Sequence, residues 1–160
     1  MRHYEENTRI PASPVEVFRY VDDHKRFSSH MSQSSWMMGG GSMEIQVDEG
    51  AGQKVGSHIR MRGKVFGITL FLDEVVTQHE PPNRKQWQTV GDLNLLVIDH
   101  YKLGFKIEPD NSNSRLRVYI DYDLPKAGGT RLLGYLLGGM YAKWCVNQMI
   151  RGVQRHFGSS

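Results

Sequence analysis

The side chains of this chain able to transfer a proton beside a sheet are His30, His58, Glu74, Asp99, His100 and Asp121. Taking a proton from an acidic C–H needs a base poised near neutral pH within hydrogen-bond reach, usually with a donor to hold the enolate. Residue alternation puts His58, His100 and Asp121 on outward strand faces. Asp99 turns inward only if its strand carries no bulge, and a lone inward carboxylate would be desolvated and raised in pKa. All six are therefore expected as solvated surface groups. No His, Cys, Asp or Glu cluster shows metal-ligand spacing, so neither a metal nor a cofactor is expected. Cys145 falls inside a helical segment, where a buried thiol packs. Gly39-Gly40-Gly41 lacks the strand-to-helix context and the Lys of a phosphate loop, and no nucleophile motif is present.

These groups sit in a chain of 160 residues, 39% apolar and 23% charged, with 20 Lys+Arg, 17 Asp+Glu and one Cys. That length is one domain's worth, so residues 1–160 are read as a single domain. No run of roughly 18 uncharged apolar residues occurs. The opening MRHYEENTRI places charge where a signal peptide would be apolar, and a single Cys forms no internal disulfide, so a cytoplasmic setting is expected. The net charge of +3 is mild, and acids and bases alternate along the chain, which argues against nucleic acid as a partner.

Residues 3–10 alternate as a strand ending at Pro11. Ser13-Pro14-Val15-Glu16 then combines an N-cap, a first-turn proline and a capping-box glutamate, opening a short helix with Val17, Phe18 and Val21 on one face. Asp22-Asp23 stops it and caps a second helix over residues 24–31, with Phe27 and Met31 on its inner edge. Strands follow over 43–47, 54–64, 68–79 and 84–90, with a tight turn at Phe66-Gly67 and a stop at Glu80-Pro81-Pro82-Asn83. Residues 93–107 form one long strand, or two pieces joined by a bulge near Asp99-His100. The last strand, 116–124, alternates Leu116, Val118, Ile120, Tyr122 and Leu124 against Arg117, Asp121 and Asp123. From residue 130 to 157 the period is helical, with Leu133, Leu137, Met140 and Trp144 on one stripe and Val146, Met149, Ile150, Val153 and Phe157 on another. Gly138-Gly139 marks either a bend or the true start of this helix.

The fold class is thus α+β: a seven-stranded curved antiparallel sheet around a long C-terminal helix, with two short helices between the first two strands. Seven strands span roughly 30 Å, and a helix about 10 Å across cannot cover that apolar face. The sheet must curl, and the concave space is filled either by large side chains or by a guest, because dry voids of that size destabilise a core. The candidate lining is Phe27, Met31, Trp36, Met61, Trp87, Tyr101, Phe105, Tyr122, Tyr141, Trp144 and Met149. In the stretch from Ser28 through Trp36-Met37-Met38 the methionines suit a surface that accepts varied apolar shapes, with Trp36 beside them to line an entrance; a hydrophobic plug beneath a loop is the alternative there.

The chain resembles the START/SRPBCC helix-grip superfamily, specifically its polyketide cyclase/dehydrase-like branch with lipid-transfer and pollen-allergen relatives. Residues 10–18 (IPASPVEVF), residues 80–87 (EPPNRKQW), the Gly129-Thr130 turn and the final helix carry the resemblance. One departure is that Gly129-Thr130-Arg131 precedes the helix, while Ser114-Arg115-Leu116 stands where Gly-Thr-Arg is expected. The resemblance implies the fold and a hydrophobic pocket, and no catalytic residue. It implies binding of a small hydrophobic or amphipathic molecule such as a lipid, polyketide, isoprenoid or aromatic metabolite, with a cyclase or dehydrase using the same pocket as the alternative. Burying some 300 Å² of ligand at about 25 cal/mol/Å² offers roughly 7 kcal/mol before binding costs. An inward Asp99 or His30 favours catalysis. The basic face His58-Arg60-Arg62-Lys64 suits a peripheral contact with an anionic membrane or simply a solvated sheet face balanced by Asp121 and Asp123. Apolar residues on both faces of segment 68–76 leave a homodimer patch open.

Overall fold

The computed structural model describes residues 1–33 and 41–158. Its strands are β1 (Arg2–Ile10), β2 (Ser42–Val47), β3 (His58–Val65), β4 (Ile68–Glu80), β5 (Arg84–Asn94), β6 (Tyr101–Asp110) and β7 (Asn113–Tyr122), and its helices are α1 (Pro14–Asp22), α2 (His24–Phe27), α3 (Ser29–Ser32) and α4 (Gly129–Phe157). The strands form one seven-stranded sheet in the order β1-β7-β6-β5-β4-β3-β2. Every neighbouring pair is antiparallel. The architecture is the expected one: a curved sheet gripping a long C-terminal helix.

Local chemistry explains where elements begin and break. The Ser13 hydroxyl accepts from the Glu16 backbone N–H, while the Glu16 carboxylate accepts from the Ser13 N–H at 3.0 Å, closing the capping box at α1. Asp23 caps α2 through the Arg26 N–H. The single helix expected over 24–31 is instead two turns, α2 and α3, broken at Ser28 (φ −101°, ψ 19°). Ser28 Oγ lies 3.3 Å from His24 Nε2, a local side-chain contact of the kind that competes with helix continuation.

β3 starts at His58, not Lys54, because residues 48–57 form a turn cluster with positive φ at Ala51, Gly52 and Gly56. The Asp48 carboxylate organises that cluster by accepting from the N–H groups of Gly50 and His58 and from the Ser57 hydroxyl. These bonds, led by the one from His58, hold its pKa below the usual carboxylate range. Val55, inside the strand expected over 54–64, is consequently 65% exposed. Residues 93–107 are neither one long strand nor two pieces joined by a bulge. β5 runs on to Asn94, residues 95–100 form a loop, and β6 begins at Tyr101. Backbone bonds from Asp99 N–H to Asp123 O and from Asp123 N–H to His100 O tie that loop to the end of β7.

α4 does not start at Gly138; it is one continuous helix from Gly129 to Phe157. Gly134 and Gly138, four residues apart, let its first half lie against the 95–100 loop and the chain leaving β7. A Cβ at Gly138 would sit 2.6 Å from Leu124 Cδ2 and 2.7 Å from Val97 O, and one at Gly134 would run into Pro125 Cδ. The two apolar stripes of α4 have different fates. Ala142, Cys145, Val146, Met149, Ile150 and Val153 are buried in the core, whereas Leu133, Leu137 and Met140 remain substantially exposed.

One end of the trough is filled by the protein itself. Phe27 packs edge-on against Phe105 and Trp87 with ring centroids 5.5 and 6.2 Å away, and Phe18 sits 5.7 Å from Phe105. Beneath them Lys85, fully buried, donates to the Asp22 carbonyl at 2.9 Å and pairs with Asp22 Oδ1 at 3.0 Å. The same carboxylate meets His79 Nε2 at 3.0 Å. Removing one partner of a buried ion pair strands the other without compensation. Lys85→Met is therefore expected to lower unfolding free energy by about 3 kcal/mol, read as a reduced denaturant midpoint at unchanged slope. A midpoint indistinguishable from wild type would show that the pair contributes nothing net.

Candidate ligand-binding site

The other end of the trough is open and divides into two compartments. The outer one is a groove of about 380 Å³ whose described lining is entirely apolar or aromatic. Its walls are Met43 of β2, Val65, Phe66, Ile68 and Leu70 around the β3–β4 turn, residues 95–98 of the loop, and Leu133, Leu137, Met140 and Tyr141 of α4. The volume falls in the range of small-molecule sites. Phe66 stands at the rim, 80% exposed at positive φ in the turn with Gly67.

The inner compartment is a chamber of about 30 Å³, and Leu95, Ile98 and Tyr141 border both spaces. Apolar side chains such as Met61, Leu72, Leu103 and Met149 make up most of its wall, and Ser28, His30, Glu74, Tyr101, Tyr141 and Cys145 are among the residues on it that carry side-chain polar atoms. Glu74 reaches this position because it continues the inward face of β4 set by Leu70, Leu72 and Val76. It is 1% exposed. The Tyr101 hydroxyl donates to Glu74 Oε1, and His24 Nε2 lies 3.5 Å from Glu74 Oε2. His30 is carried in by α3 and packs edge-on against Trp144, with centroids 5.2 Å apart. Glu74 Oε2, His24 Nδ1 and His30 Nε2 are buried without a hydrogen-bond partner.

Burial controls the charge of this wall. It pushes the phenols of Tyr101 and Tyr141 well above their ordinary range, with Glu74 adding to the shift of Tyr101. The Cys145 thiol is pushed up to about 12, so it is an inert packing group. His30 is driven down to about 4, chiefly by burial and then by neighbouring His24. Each is held in its neutral form at neutral pH.

The candidate residues separate accordingly. Met31, Met61, Trp87, Tyr101, Tyr141 and Met149 border the inner chamber. Phe27 and Phe105 face inward but belong to the packed end, and Tyr122 is buried without bordering either space. Trp144 is half-buried against His30 and Tyr141. Trp36 lies outside the described residues. Two of the proton-transfer groups expected at the surface, Glu74 and His30, are buried instead. The others do face outward: His58 pairs with Asp73 at 3.0 Å, Asp121 with His3 at 2.7 Å, and His100 sits 3.1 Å from Thr89 Oγ1. Asp99 borders neither compartment. The basic face is balanced by Asp73, not by Asp121 and Asp123, since Asp123 pairs with the N-terminal amine. Among the described residues no group of three metal-ligating side chains occurs, and no helix is long and apolar enough to cross a membrane.

Residues 1–151 match the family model described as polyketide cyclase/dehydrase and lipid transport. No curated protein matches the chain. Among solved structures it is similar to TTHA0849 from Thermus thermophilus, with 17% identity and a TM-score of 0.68 over 96% of this chain and 95% of that one. It is also similar to a truncated norcoclaurine synthase from Thalictrum flavum, with 12% identity and a TM-score of 0.67 over 99% and 94% of the two chains. The Zhui aromatase/cyclase from Streptomyces sp. R1128 superposes with 12% identity and a TM-score of 0.63 over 99% and 98%. At these identities the likeness is one of fold.

A histidine held near 4 makes acid stability depend on this site. The unfolded chain takes up the His30 proton around the ordinary 6.5, whereas the native chain resists until about 4. Stability therefore falls as pH drops through that window, by up to about 3 kcal/mol, and is unaffected by this group above it. Denaturant titrations at several pH values should show wild type losing about that much more than His30→Gln on acidification. Parallel curves for the two proteins would show that the imidazole is not held neutral.

Proposed function

The chain belongs to the polyketide cyclase/dehydrase and lipid transport family, and from that membership we propose that it binds a small hydrophobic or amphipathic molecule between the sheet and α4. The observation that carries this reading is the apolar groove of about 380 Å³, bordered at its inner end by the residues that also border the chamber. A space of that size lined by Leu, Ile, Val, Met and Phe gains free energy by losing water to any apolar occupant that fits. Leu133, Leu137 and Met140 are part of this, since burying them against a guest removes apolar surface that the isolated protein leaves wet. The candidate residues bordering the chamber, Met31, Met61, Trp87, Tyr101, Tyr141 and Met149, take the inner end of the ligand. A cytoplasmic setting fits a chain whose one thiol is buried and unpaired.

A second reading, proton-transfer catalysis on a polyketide-like substrate, is favoured by Glu74 and His30 bordering the same chamber. The synthase and the aromatase/cyclase of similar fold are enzymes by name, which supports the scaffold's capacity for such work.

Titration with N-phenyl-1-naphthylamine, a neutral apolar fluorophore, should give saturable binding in the micromolar range. Leu137→Glu, which places a charge in the groove at a half-exposed position, should weaken it about tenfold or more; absence of saturable binding would remove the binding reading. The catalytic reading predicts that the protein accelerates opening of 5-nitrobenzisoxazole, whose ring breaks when a base takes one C–H proton, and that Glu74→Gln abolishes the acceleration. A wild-type rate equal to buffer counts decisively against it.

A further inference from the structure

The polar atoms at the base of the pocket define what the inner end of a ligand must be. The chamber's volume of about 30 Å³ is room for a group the size of one hydroxyl or one water. Glu74 and His30, 1% and 8% exposed, each bring a buried atom without a hydrogen-bond partner to this region, Oε2 and Nε2 respectively, with His24 Nε2 3.5 Å from Oε2 but not bonded to it. The neighbouring polar atoms are already engaged: the Tyr101 hydroxyl donates to Glu74 Oε1, and Ser28 Oγ contacts His24. None of the residues bordering the chamber is Lys or Arg. The nearby buried ammonium, Lys85, is held by the carboxylate and carbonyl of Asp22.

We propose that the chamber is a subsite for a neutral hydroxyl, and that the protein selects apolar alcohols, aliphatic or aromatic, over apolar acids. The inference rests on the ligand-binding reading above and names its ligand class. A hydroxyl both donates and accepts, so it can give its proton to Glu74 Oε2 while its oxygen meets His30 Nε2 in the tautomer that carries a proton there. An ether oxygen accepts only and leaves Glu74 Oε2 unpaired. A carboxylate or phosphate is larger than the space, and it would be desolvated beside the Glu74 carboxyl with no Lys or Arg to meet it. The carbon skeleton of the alcohol lies past Leu95, Ile98 and Tyr141 in the outer groove. Sites built to complete a ligand's hydrogen bond discriminate strongly against analogues that lack it, because the protein's own buried groups are then left unsatisfied.

The test is displacement of N-phenyl-1-naphthylamine from the full chain by 1-decanol, decanoate and 1-methoxydecane. Decanol is expected to bind about tenfold or more tightly than either analogue. In Glu74→Gln the Tyr101 bond is retained through the amide oxygen and an N–H₂ replaces the free acceptor, so the ether gains and the alcohol's advantage falls below about threefold. His30→Phe, which fills the chamber with carbon, is the second variant and should bring decanol down to the affinity of the ether. Equal affinities for the three compounds in wild type, with the fluorophore still bound, overturn the hydroxyl subsite and leave the groove reading standing. An alcohol preference unchanged in both variants does the same, and a fluorophore that fails to bind wild type overturns both.

Discussion

A single helix about 10 Å across lies over a sheet of seven strands, and the rest of the molecule follows from that mismatch in width. The chain resolves it differently at the two ends of the trough. At one end α1, α2 and the aromatic cluster of Phe18, Phe27, Trp87 and Phe105 close the space with protein carbon. At the other the facing surfaces are equally apolar, but the first half of α4 stands off the β3–β4 turn and the groove between them stays open. The hydrophobic effect accounts for both ends, acting inside the chain in one case and leaving an unmet demand in the other.

The loop between β5 and β6 carries the division between the two compartments. Its residues Leu95 and Ile98 border both, and Val97 receives α4 at the small side of Gly138. A larger residue at Gly138 would force helix and loop apart. Close backbone approach there fixes how wide the passage beside Tyr141 is, so a glycine far from any chemistry sets the geometry of the site.

Much of this was legible in the sequence, and the misreadings have specific causes. The Ser13-Pro14-Val15-Glu16 signature and the alternation of β7 are local, and local rules determined them. Alternation along Leu70, Leu72 and Val76 already assigned Glu74 to the inner face, as the alternation of Trp87 assigned Lys85. Charge ordinarily signals exposure, a rule that places both at the surface and fails where a partner such as Tyr101 or Asp22 waits inside. The run Leu95-Leu96-Val97-Ile98 has the composition of a strand and is a loop, since its hydrophobicity serves a cavity wall instead of a ladder. Of the candidate lining, Phe27, Phe105, Tyr122 and Trp144 border neither space. An inward direction is shared by residues that fill a trough and residues that border a void, and only position along the trough separates them.

Neutrality is the last element of the site's logic. Burial raises Tyr101, Tyr141 and Cys145 and lowers His30 by one physical cause, the cost of charge in a poorly solvated wall. The signs differ only because acids and bases carry charge in opposite protonation states. These four groups offer directed hydrogen bonds without charge, so they distinguish ligands by whether their donors and acceptors are completed. The same donors and acceptors that would orient a bound hydroxyl would also orient a proton transfer, and binding and catalysis then differ by whether a ligand places a labile C–H within reach of Glu74.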